Sequence, residues 1–261
     1  MKSIGRWLLW VVLAGVALQL FFALRIALML VVAPQSTAFM RSEAWQIASG
    51  SVTTDKSWHW SSQWVDYENI NPNLKRAVMA SEDAGFPEHG GVDWDAIEAA
   101  WAKNEKRLEQ AEKRQEQIEK KLGNKPEAAE AALKKVKPAK ILGGSTITQQ
   151  LAKNLLLSGE RSLLRKGQEL VLTLTLEALL SKRRILEIYL NSVEWGEGVF
   201  GAEAAAQRYF KKPASQLNAH EAARLAVMLP SPKFFETRPG SAYLSRRTAT
   251  IVARMGDVTP P

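Results

Sequence analysis

The chain has 261 residues, no cysteine and a formal net charge of +8 at pH 7. The absence of cysteine excludes structural disulfides, a thiolate nucleophile and cysteine-ligated zinc, and the three histidines (His59, His89 and His220) are too far apart in the sequence to give a metal-ligand spacing. The basic balance predicts an anionic partner, which leaves nucleic acid, phospholipid and phosphorylated substrates open.

The N-terminus narrows this choice. Residues 7–34 are apolar for more than the roughly 20 residues that a helix needs to cross a bilayer, with Gln19 and Arg25 as polar interruptions. This run is too long for a cleaved signal peptide, so we predict a retained anchor. Lys2 and Arg6 precede it and favour a cytoplasmic N-terminus, with the rest of the chain exported. An exported, membrane-tethered domain meets phospholipid and lipid-linked phosphates, so we predict no nucleic-acid partner.

The remainder of the chain has a helical pattern. Residues 35–70 form a connector that is rich in serine and tryptophan. Its tryptophans either lie at the membrane interface or pack on the domain. From residue 72 onward there is little alternation of period two. The predicted helices are 93–122, 146–157, 162–190, 200–210 and 219–229. The predicted organisation is 1–34 (cytoplasmic start and anchor), 35–70 (connector), 71–240 (all-α domain with a charged insert at 103–140) and 241–261 (C-terminal helix or tail).

The insert, residues 103–140, has many charges and almost no bulky apolar side chains. Glu109 and Lys113 have the i,i+4 order that supports a solvated helix. The sequence GNKP at 123–126 then predicts a break, after which a second short helix is predicted to run to Val136. The insert is either a solvated helical hairpin or a basic flap lying on anionic lipid.

The segment SEDAGFPEHGG, residues 81–91, places Glu82 and Asp83 directly after the apolar run AVMA. Adjacent acids of this kind either complement a helix dipole or supply an active-site carboxylate with a shifted pKa. The segment alone does not decide between these interpretations.

The segment GGSTITQQLAKN, residues 143–154, predicts a helix that begins with a capping box between Thr146 and Gln149. Polar side chains then share two adjacent faces of this helix: Gln149 with Lys153, and Gln150 with Asn154. A helix N-terminus beside such side chains can hold sugar hydroxyls and phosphate oxygens.

The next helix carries a stripe of charges. Arg161, Arg165 and Glu169 are spaced by four residues, and Lys166 lies one turn before Glu169. The pattern is either a surface ion pair between Arg165 and Glu169 or a cation cluster that binds a diphosphate, for which the planar guanidinium is well suited. The following segment, SKRRILEIYLN at 181–191, is interpreted as structural.

SEDAGFPEH, GGSTITQQLAKN, RSLLRKGQE and KRRILEIYLN occur in the order and approximate spacing of the peptidoglycan glycosyltransferases. Over about residues 60–235 the chain resembles the monofunctional biosynthetic transglycosylases of this family, of Gram-negative type. The resemblance implies a lysozyme-like all-α domain with a large lobe and a smaller membrane-dipping lobe, in the periplasm and anchored to the inner membrane. The chain contains no Ser-x-x-Lys or Lys-Thr-Gly motif, so we expect no penicillin-binding transpeptidase domain.

The resemblance also implies site residues. Glu82 falls at the catalytic general base, and Glu169 at a second catalytic glutamate near the diphosphate and the donor. The implied substrate-binding residues are Asp83, Phe86, His89, Ser145, Gln149, Gln150, Lys153, Asn154, Arg161, Arg165 and Lys166. The chain departs from the common family pattern at Gly85, at Gln168 and in the long insert, and the first two departures reduce the local positive charge.

The implied reaction polymerises lipid II into β-1,4 glycan strands, with inversion and release of undecaprenyl diphosphate, in cell-wall biogenesis and cell-shape maintenance. The predicted partners are lipid II, the growing strand and membrane phospholipid, with cell-division or elongation proteins as further candidates. The sequence requires no cofactor and leaves open a divalent cation, Mg²⁺ or Mn²⁺, at the diphosphate. Two alternatives remain: a lysozyme-like lytic enzyme that cleaves glycan, and a non-catalytic membrane scaffold of cell-wall synthesis.

Overall fold

A computed structural model describes residues 2–54, 59–122, 143–157 and 162–261. The chain forms two compact units, one made of residues 1–92 and 146–261 and the other of residues 93–145. Three sequence predictions fall outside the described residues: the site residue Arg161, the break at 123–126 and the short helix expected to reach Val136.

Helices dominate both units. In chain order they are α1 (Lys2–Leu28), α2 (Ala38–Thr54), α3 (Pro72–Glu82), α4 (Trp94–Leu122), α5 (Ile147–Leu156), α6 (Leu163–Leu179), α7 (Lys182–Ser192), α8 (Ala202–Phe210), α9 (Ala219–Met228), α10 (Pro232–Glu236) and α11 (Ala242–Arg254). Short 3-10 helices lie at Tyr67–Asn69, Ala214–Gln216 and Met255–Asp257. The strands are β1 (Ser61–Ser62), β2 (Glu194–Gly196) and β3 (Val199–Phe200), in the order β1-β3-β2, with β1 parallel and β2 antiparallel to β3. The predicted all-α class is confirmed.

The core of the larger unit is built around α5 and α7. Helix α5 packs against both α6 and α7, while α9 packs against α3 and α11. Trp195, Tyr189, Phe86 and Phe200 are among its largest fully buried side chains. Helix α11 belongs to this packing, so the segment predicted as a C-terminal helix or tail is part of the domain.

Local capping explains where the helices of the site begin. The predicted capping box at the start of α5 is confirmed: the Thr146 hydroxyl accepts from the Gln149 N–H at 3.1 Å, and Gln149 Oε1 accepts from the Thr146 N–H at 3.1 Å. The prediction of one helix over 162–190 is wrong. Leu180 takes an extended conformation and Ser181 caps a new helix by accepting from the Arg184 N–H, because a serine hydroxyl satisfies a free N–H at a helix start.

The N-terminal helix is long and apolar enough over Ser3–Leu28 to cross a membrane, which fits a single-pass anchor. It ends at Leu28, so the last residues of the predicted apolar run lie beyond it. Its C-terminal end enters the domain, since Ile26 and Met29 are buried in the hydrophobic core. The connector contains helix α2, which the sequence analysis did not predict.

In the smaller unit, α4 extends for 29 residues and buries no side chain within the described structure. The predicted Glu109–Lys113 pair is present at 3.9 Å between Oε2 and Nζ, with both side chains more than half exposed. These features agree with a solvated helix.

Candidate active site

Asp83 ties the end of α3 to the start of α5. It is buried, and its Oδ2 accepts from the backbone N–H of Ile147 at 2.9 Å. Ile147 is the first residue of α5, where backbone N–H groups lack intrahelical partners and carry partial positive charge. The Asp83 carboxylate therefore acts as an electrostatic clamp between the two helices.

His89 completes this clamp. Its Nδ1 accepts from the Gly91 N–H at 3.1 Å, so the hydrogen-bond pattern assigns the proton to Nε2, which donates to Asp83 Oδ1 at 2.9 Å. The imidazole also makes an edge contact with the fully buried Phe86 ring, at 6.3 Å between centroids. Asp83, Phe86 and His89 thus shape the loop that follows Glu82.

Lys182, the first residue of α7, contacts the loop that follows Glu82. Its Nζ donates to the His89 carbonyl oxygen at 2.6 Å and to Glu177 Oε1 at 2.8 Å, and it lies 4.5 Å from the centroid of the Phe86 ring. The cation therefore holds the loop by a charge-assisted hydrogen bond and a cation–π contact.

The loop returns to the domain through Gly91. Its φ of +91° is unfavourable for residues with a Cβ, and a Cβ there would lie 2.8 Å from both Thr173 Cγ2 and Glu177 Cγ. Its carbonyl oxygen accepts from the Thr146 hydroxyl at 2.7 Å. Only glycine allows this close approach to α6.

Glu82 is the last residue of α3 and is half-buried. Its Oε2 accepts from Gln150 Nε2 at 3.2 Å, and Gln150 Oε1 in turn accepts from the Tyr189 hydroxyl at 2.9 Å. Because the amide carbonyl of Gln150 is turned toward Tyr189, its N–H₂ group is directed at the Glu82 carboxylate. Three side chains from α3, α5 and α7 are thereby linked by a continuous series of hydrogen bonds, the Tyr189–Gln150–Glu82 chain.

The surroundings of Glu82 raise its pKa above the ordinary value. Burial is the largest cause, and the neighbouring Asp83 adds to it, while hydrogen bonds from Gln150 and Ser81 and the charge of Arg247 oppose it. The result is a carboxyl that is more basic than a solvated glutamate yet held by donors that favour its ionised form.

Tyr189 is fully buried, and burial together with the charges of Glu82 and Asp83 raises the pKa of its hydroxyl well above the usual value. The hydroxyl therefore stays protonated and remains a donor to Gln150 across the range in which an enzyme works.

Glu169 lies near the start of α6 and is only 4% exposed. Its Oε2 accepts from an Arg165 terminal nitrogen at 3.2 Å and its Oε1 from Lys166 Nζ. The Arg165–Glu169 ion pair is therefore not an exposed surface pair, because the Glu169 carboxylate is buried and contacts two cations. The Arg165 Nε atom is buried and has no hydrogen-bond partner among the described residues.

The remaining predicted residues lie on or before α5. Gln149 is buried with its carbonyl oxygen engaged in the capping box, Lys153 is exposed and Asn154 is half-exposed. Ser145 is exposed and belongs to the smaller unit. Their substrate contacts stay predictions.

Sequence reasoning missed three residues that act on this site: Tyr189, Lys182 and Arg247. The first two lie in the segment interpreted as structural, and the third lies in the predicted C-terminal helix or tail. A tyrosine on the apolar face of an amphipathic helix was the available signal, since its hydroxyl must find a partner when buried.

The all-α domain, with a half-buried glutamate at a helix end and an N-terminal apolar helix, belongs to a class of glycosyl-transferring enzymes. The sequence profile of the Transglycosylase family matches residues 50–115 and 123–256, so the chain is a member of that family. Similar proteins are biosynthetic peptidoglycan transglycosylases. That of Burkholderia pseudomallei (strain K96243) is 47% identical over 264 residues, which cover 100% of this chain and 90% of that protein. That of Herminiimonas arsenicoxydans is 46% identical over 267 residues, which cover 100% of both chains. That of Burkholderia cenocepacia (strain HI2424) is 47% identical over 263 residues, which cover 99% and 94%. The predicted family and the glycosyltransferase class are confirmed.

Proposed function

We propose that this enzyme polymerises lipid II into β-1,4 glycan strands, with Glu82 as the general base. The observation that carries the proposal is the Tyr189–Gln150–Glu82 chain, which fixes a half-buried carboxyl of raised pKa at the end of α3. The family membership and the names of the relatives support the substrate class.

The acceptor is a sugar hydroxyl, which is a poor nucleophile until a base removes its proton during attack. A carboxylate with a raised pKa is a stronger base than an ordinary glutamate, and the hydrogen bonds from Gln150 and Ser81 favour the ionised form of Glu82. In the proposed reaction the proton moves from the acceptor hydroxyl to Glu82, and the freed oxygen attacks the anomeric carbon of the donor. The Gln150 amide holds the free carboxylate ready for this transfer.

The leaving group is undecaprenyl diphosphate, and its developing charge needs neutralisation. Arg165 and Lys166, with Lys153 on α5, would supply preorganised positive charge there. The buried Nε of Arg165, which has no partner among the described residues, gives a donor for a phosphate oxygen. Arg161 keeps its predicted role at the diphosphate, although it lies outside the described residues.

Glu169 would act as an orienting group on the donor side. Its two oxygens already accept from Arg165 and Lys166, so we assign it the positioning of these cations rather than attack on the sugar. Direct displacement by the acceptor then inverts the anomeric centre from α to β, and no covalent glycosyl-enzyme forms.

The same pairing bears on the divalent cation left open by the sequence. Mg²⁺ and Mn²⁺ prefer oxygen ligands such as free carboxylates, whereas the Glu169 oxygens are occupied by side-chain cations. These residues fit a divalent ion poorly, and the proposed reaction contains no step through a metal.

The location follows from the apolar helix α1 and the substrate. We propose that α1 anchors the enzyme in the inner membrane with its N-terminus in the cytoplasm, so that the domain lies on the periplasmic side. Lipid-linked donor and growing strand would then both reach the site from the same leaflet, with phospholipid beside them. Cell-division or elongation proteins stay candidate partners.

The test compares Glu82→Gln with Glu88→Gln, a matched change at an exposed position of the same loop. Each protein is incubated in detergent with labelled lipid II, and the products are separated by size. We expect long glycan from the wild type and from Glu88→Gln, and a loss of about 10²- to 10⁴-fold for Glu82→Gln, the usual contribution of a general base. Full polymerisation by Glu82→Gln would overturn the assignment of the base. Shortening of added glycan by the wild type would favour the lytic alternative, and no turnover by the folded wild type would favour the scaffold.

A further inference from the structure

Two glutamines interrupt apolar surfaces of the larger unit and contact each other. Gln19 lies within the membrane-spanning helix α1, and Gln168 directly precedes Glu169 on α6. Gln19 Nε2 donates to Gln168 Oε1 at 2.8 Å, and Gln168 Nε2 donates to Gln19 Oε1 at 3.0 Å. The two amides therefore form a closed, reciprocal pair.

The surroundings of this pair are apolar. Most side chains of α1 are exposed and apolar, and the outward surface of α6 also carries exposed apolar side chains: Leu163, Leu164, Leu170, Val171 and Leu174. Such surfaces fit a lipid environment, in which no solvent can satisfy a polar group. Each amide thus depends on the other, and separation would leave both unpaired.

A second attachment fixes the other end of α1. Ile26 and Met29 are buried in the domain core, and Arg184 Nε donates to the Met29 carbonyl oxygen at 2.7 Å. Gln19 precedes Ile26 by seven residues, or about 10 Å along a helix. The Gln19–Gln168 pair and the core attachment together determine the direction of α1 relative to α6. The core attachment alone would fix only the C-terminal end of α1 and leave the orientation of the rest undetermined.

We propose that the Gln19–Gln168 pair is a positioning contact for the donor side of the site, so that the membrane-spanning helix is part of the catalytic scaffold as well as an anchor. Gln168 faces α1, and its neighbour Glu169 is directed into the domain, where it orients Arg165 and Lys166. Holding Gln168 therefore fixes the rotation of the α6 turn that carries these three side chains. The inference rests on the donor-side role proposed above for Glu169.

The first experiment is a double-mutant cycle on the full chain in liposomes that contain lipid II. Gln19→Ala and Gln168→Ala should each lower kcat by about 3- to 10-fold, the range expected for loss of interhelical hydrogen bonding in a membrane, with little change in KM. The double variant should be no slower than the slower single variant, because the first change already breaks the pair. The controls are Leu18→Ala on α1 and Thr175→Ala on α6, whose hydroxyl donates to the Val171 carbonyl oxygen of its own helix.

A conservative variant separates positioning from general damage. Gln19→Glu keeps the size of the side chain, and a neutral carboxyl can both donate to and accept from Gln168. At mildly acidic pH, kcat of the Gln19→Glu variant should be close to that of the wild type at the same pH, whereas kcat of Gln19→Ala should remain low. Wild-type kcat for both alanine variants, or additive losses in the double variant, would overturn the positioning role.

Because the chain has no cysteine, the contact can also be measured without activity. A Gln19→Cys, Gln168→Cys protein treated with a short bis-maleimide should cross-link within the chain far more than a Leu18→Cys, Gln168→Cys control, and the cross-linked enzyme should still polymerise lipid II. Equal cross-linking of both pairs would overturn the contact itself. Undiminished activity of Glu169→Gln beside specific cross-linking would instead refute the proposed role of Glu169.

Discussion

Replacing Tyr189 with phenylalanine removes one oxygen atom from the centre of the site and leaves the buried ring in place. In the wild type, the Tyr189 hydroxyl donates to Gln150 Oε1 at 2.9 Å, which directs Gln150 Nε2 at Glu82. Without the hydroxyl, the amide loses the hydrogen bond that directs its carbonyl oxygen away from Glu82, and a rotated amide would present that oxygen to the Glu82 carboxylate. We expect a slower enzyme with an altered pH profile.

The magnitude follows from the lost hydrogen bond. One intramolecular hydrogen bond contributes about 0.5–1.5 kcal/mol, and about 1.4 kcal/mol corresponds to a tenfold change in rate. We therefore expect kcat to fall by about 3- to 10-fold in the Tyr189→Phe variant. Since the hydrogen bond from Gln150 lowers the pKa of Glu82, loosening that bond should raise the pKa, and the acidic limb of the profile should move to higher pH.

The assay is lipid II polymerisation as a function of pH for the wild type, Tyr189→Phe and Tyr209→Phe. Tyr209 is a matched control, because its hydroxyl donates to the Trp195 carbonyl oxygen at 2.8 Å and is not part of the chain to Glu82. The control should keep the wild-type acidic limb. If Tyr189→Phe also keeps the wild-type rate and limb, the hydroxyl does not orient Gln150 during the reaction.

Two further predictions concern stability. Burial raises the pKa of Glu194 from 4.5 to about 7, against the opposing charge of Lys233; the folded state therefore loses stability as the pH rises through this range, by up to about 3 kcal/mol at the alkaline end. Glu194→Gln should melt about 6–12 °C above the wild type near pH 8 and at the same temperature near pH 4, and equal melting temperatures at both values would contradict this reasoning. Gly91→Ala should lower the free energy of unfolding by about 1–3 kcal/mol or more, since its Cβ would meet Thr173 at 2.8 Å with φ at +91°. Gly90→Ala, where a Cβ meets open space, should melt like the wild type.

The parts of the site that depend on local rules were predictable from the sequence. A threonine three residues before a glutamine predicts the capping box that starts α5, and this geometry is present. Spacing by four residues likewise predicts that Arg165 and Glu169 meet on one helical face, which they do. These contacts lie within a single helix, so their geometry follows from 3.6 residues per turn.

The parts that depend on packing between helices were not predictable. The break at Leu180 and Ser181 has a local signal in the serine that caps α7, but the hydrophobic pattern over 162–190 continues across it and predicts one helix. The pairing of Gln19 with Gln168 joins positions 149 residues apart, and no local rule connects them. The sequence analysis treated the two residues as an interruption of the span and a departure from the family pattern, although each explains the other.

The adjacent acids Glu82 and Asp83 take opposite roles because α3 ends between them. Glu82 keeps a helical conformation, whereas Asp83 is the capping residue with φ −164° and ψ 80°, so the two carboxylates have different surroundings. Asp83 accepts from the Ile147 N–H and from His89, and these two hydrogen bonds fix its carboxylate in place. Burial raises the pKa of Glu82, and the charge of Asp83 raises it further. The hydrogen bond from the Gln150 amide opposes this rise. Two carboxylates in environments that separate their roles are a recurring arrangement in acid–base catalysis. Asp83→Asn should therefore affect the site indirectly. It removes the negative charge that holds the start of α5, and it lowers the pKa of Glu82 by removing one of the causes of its rise.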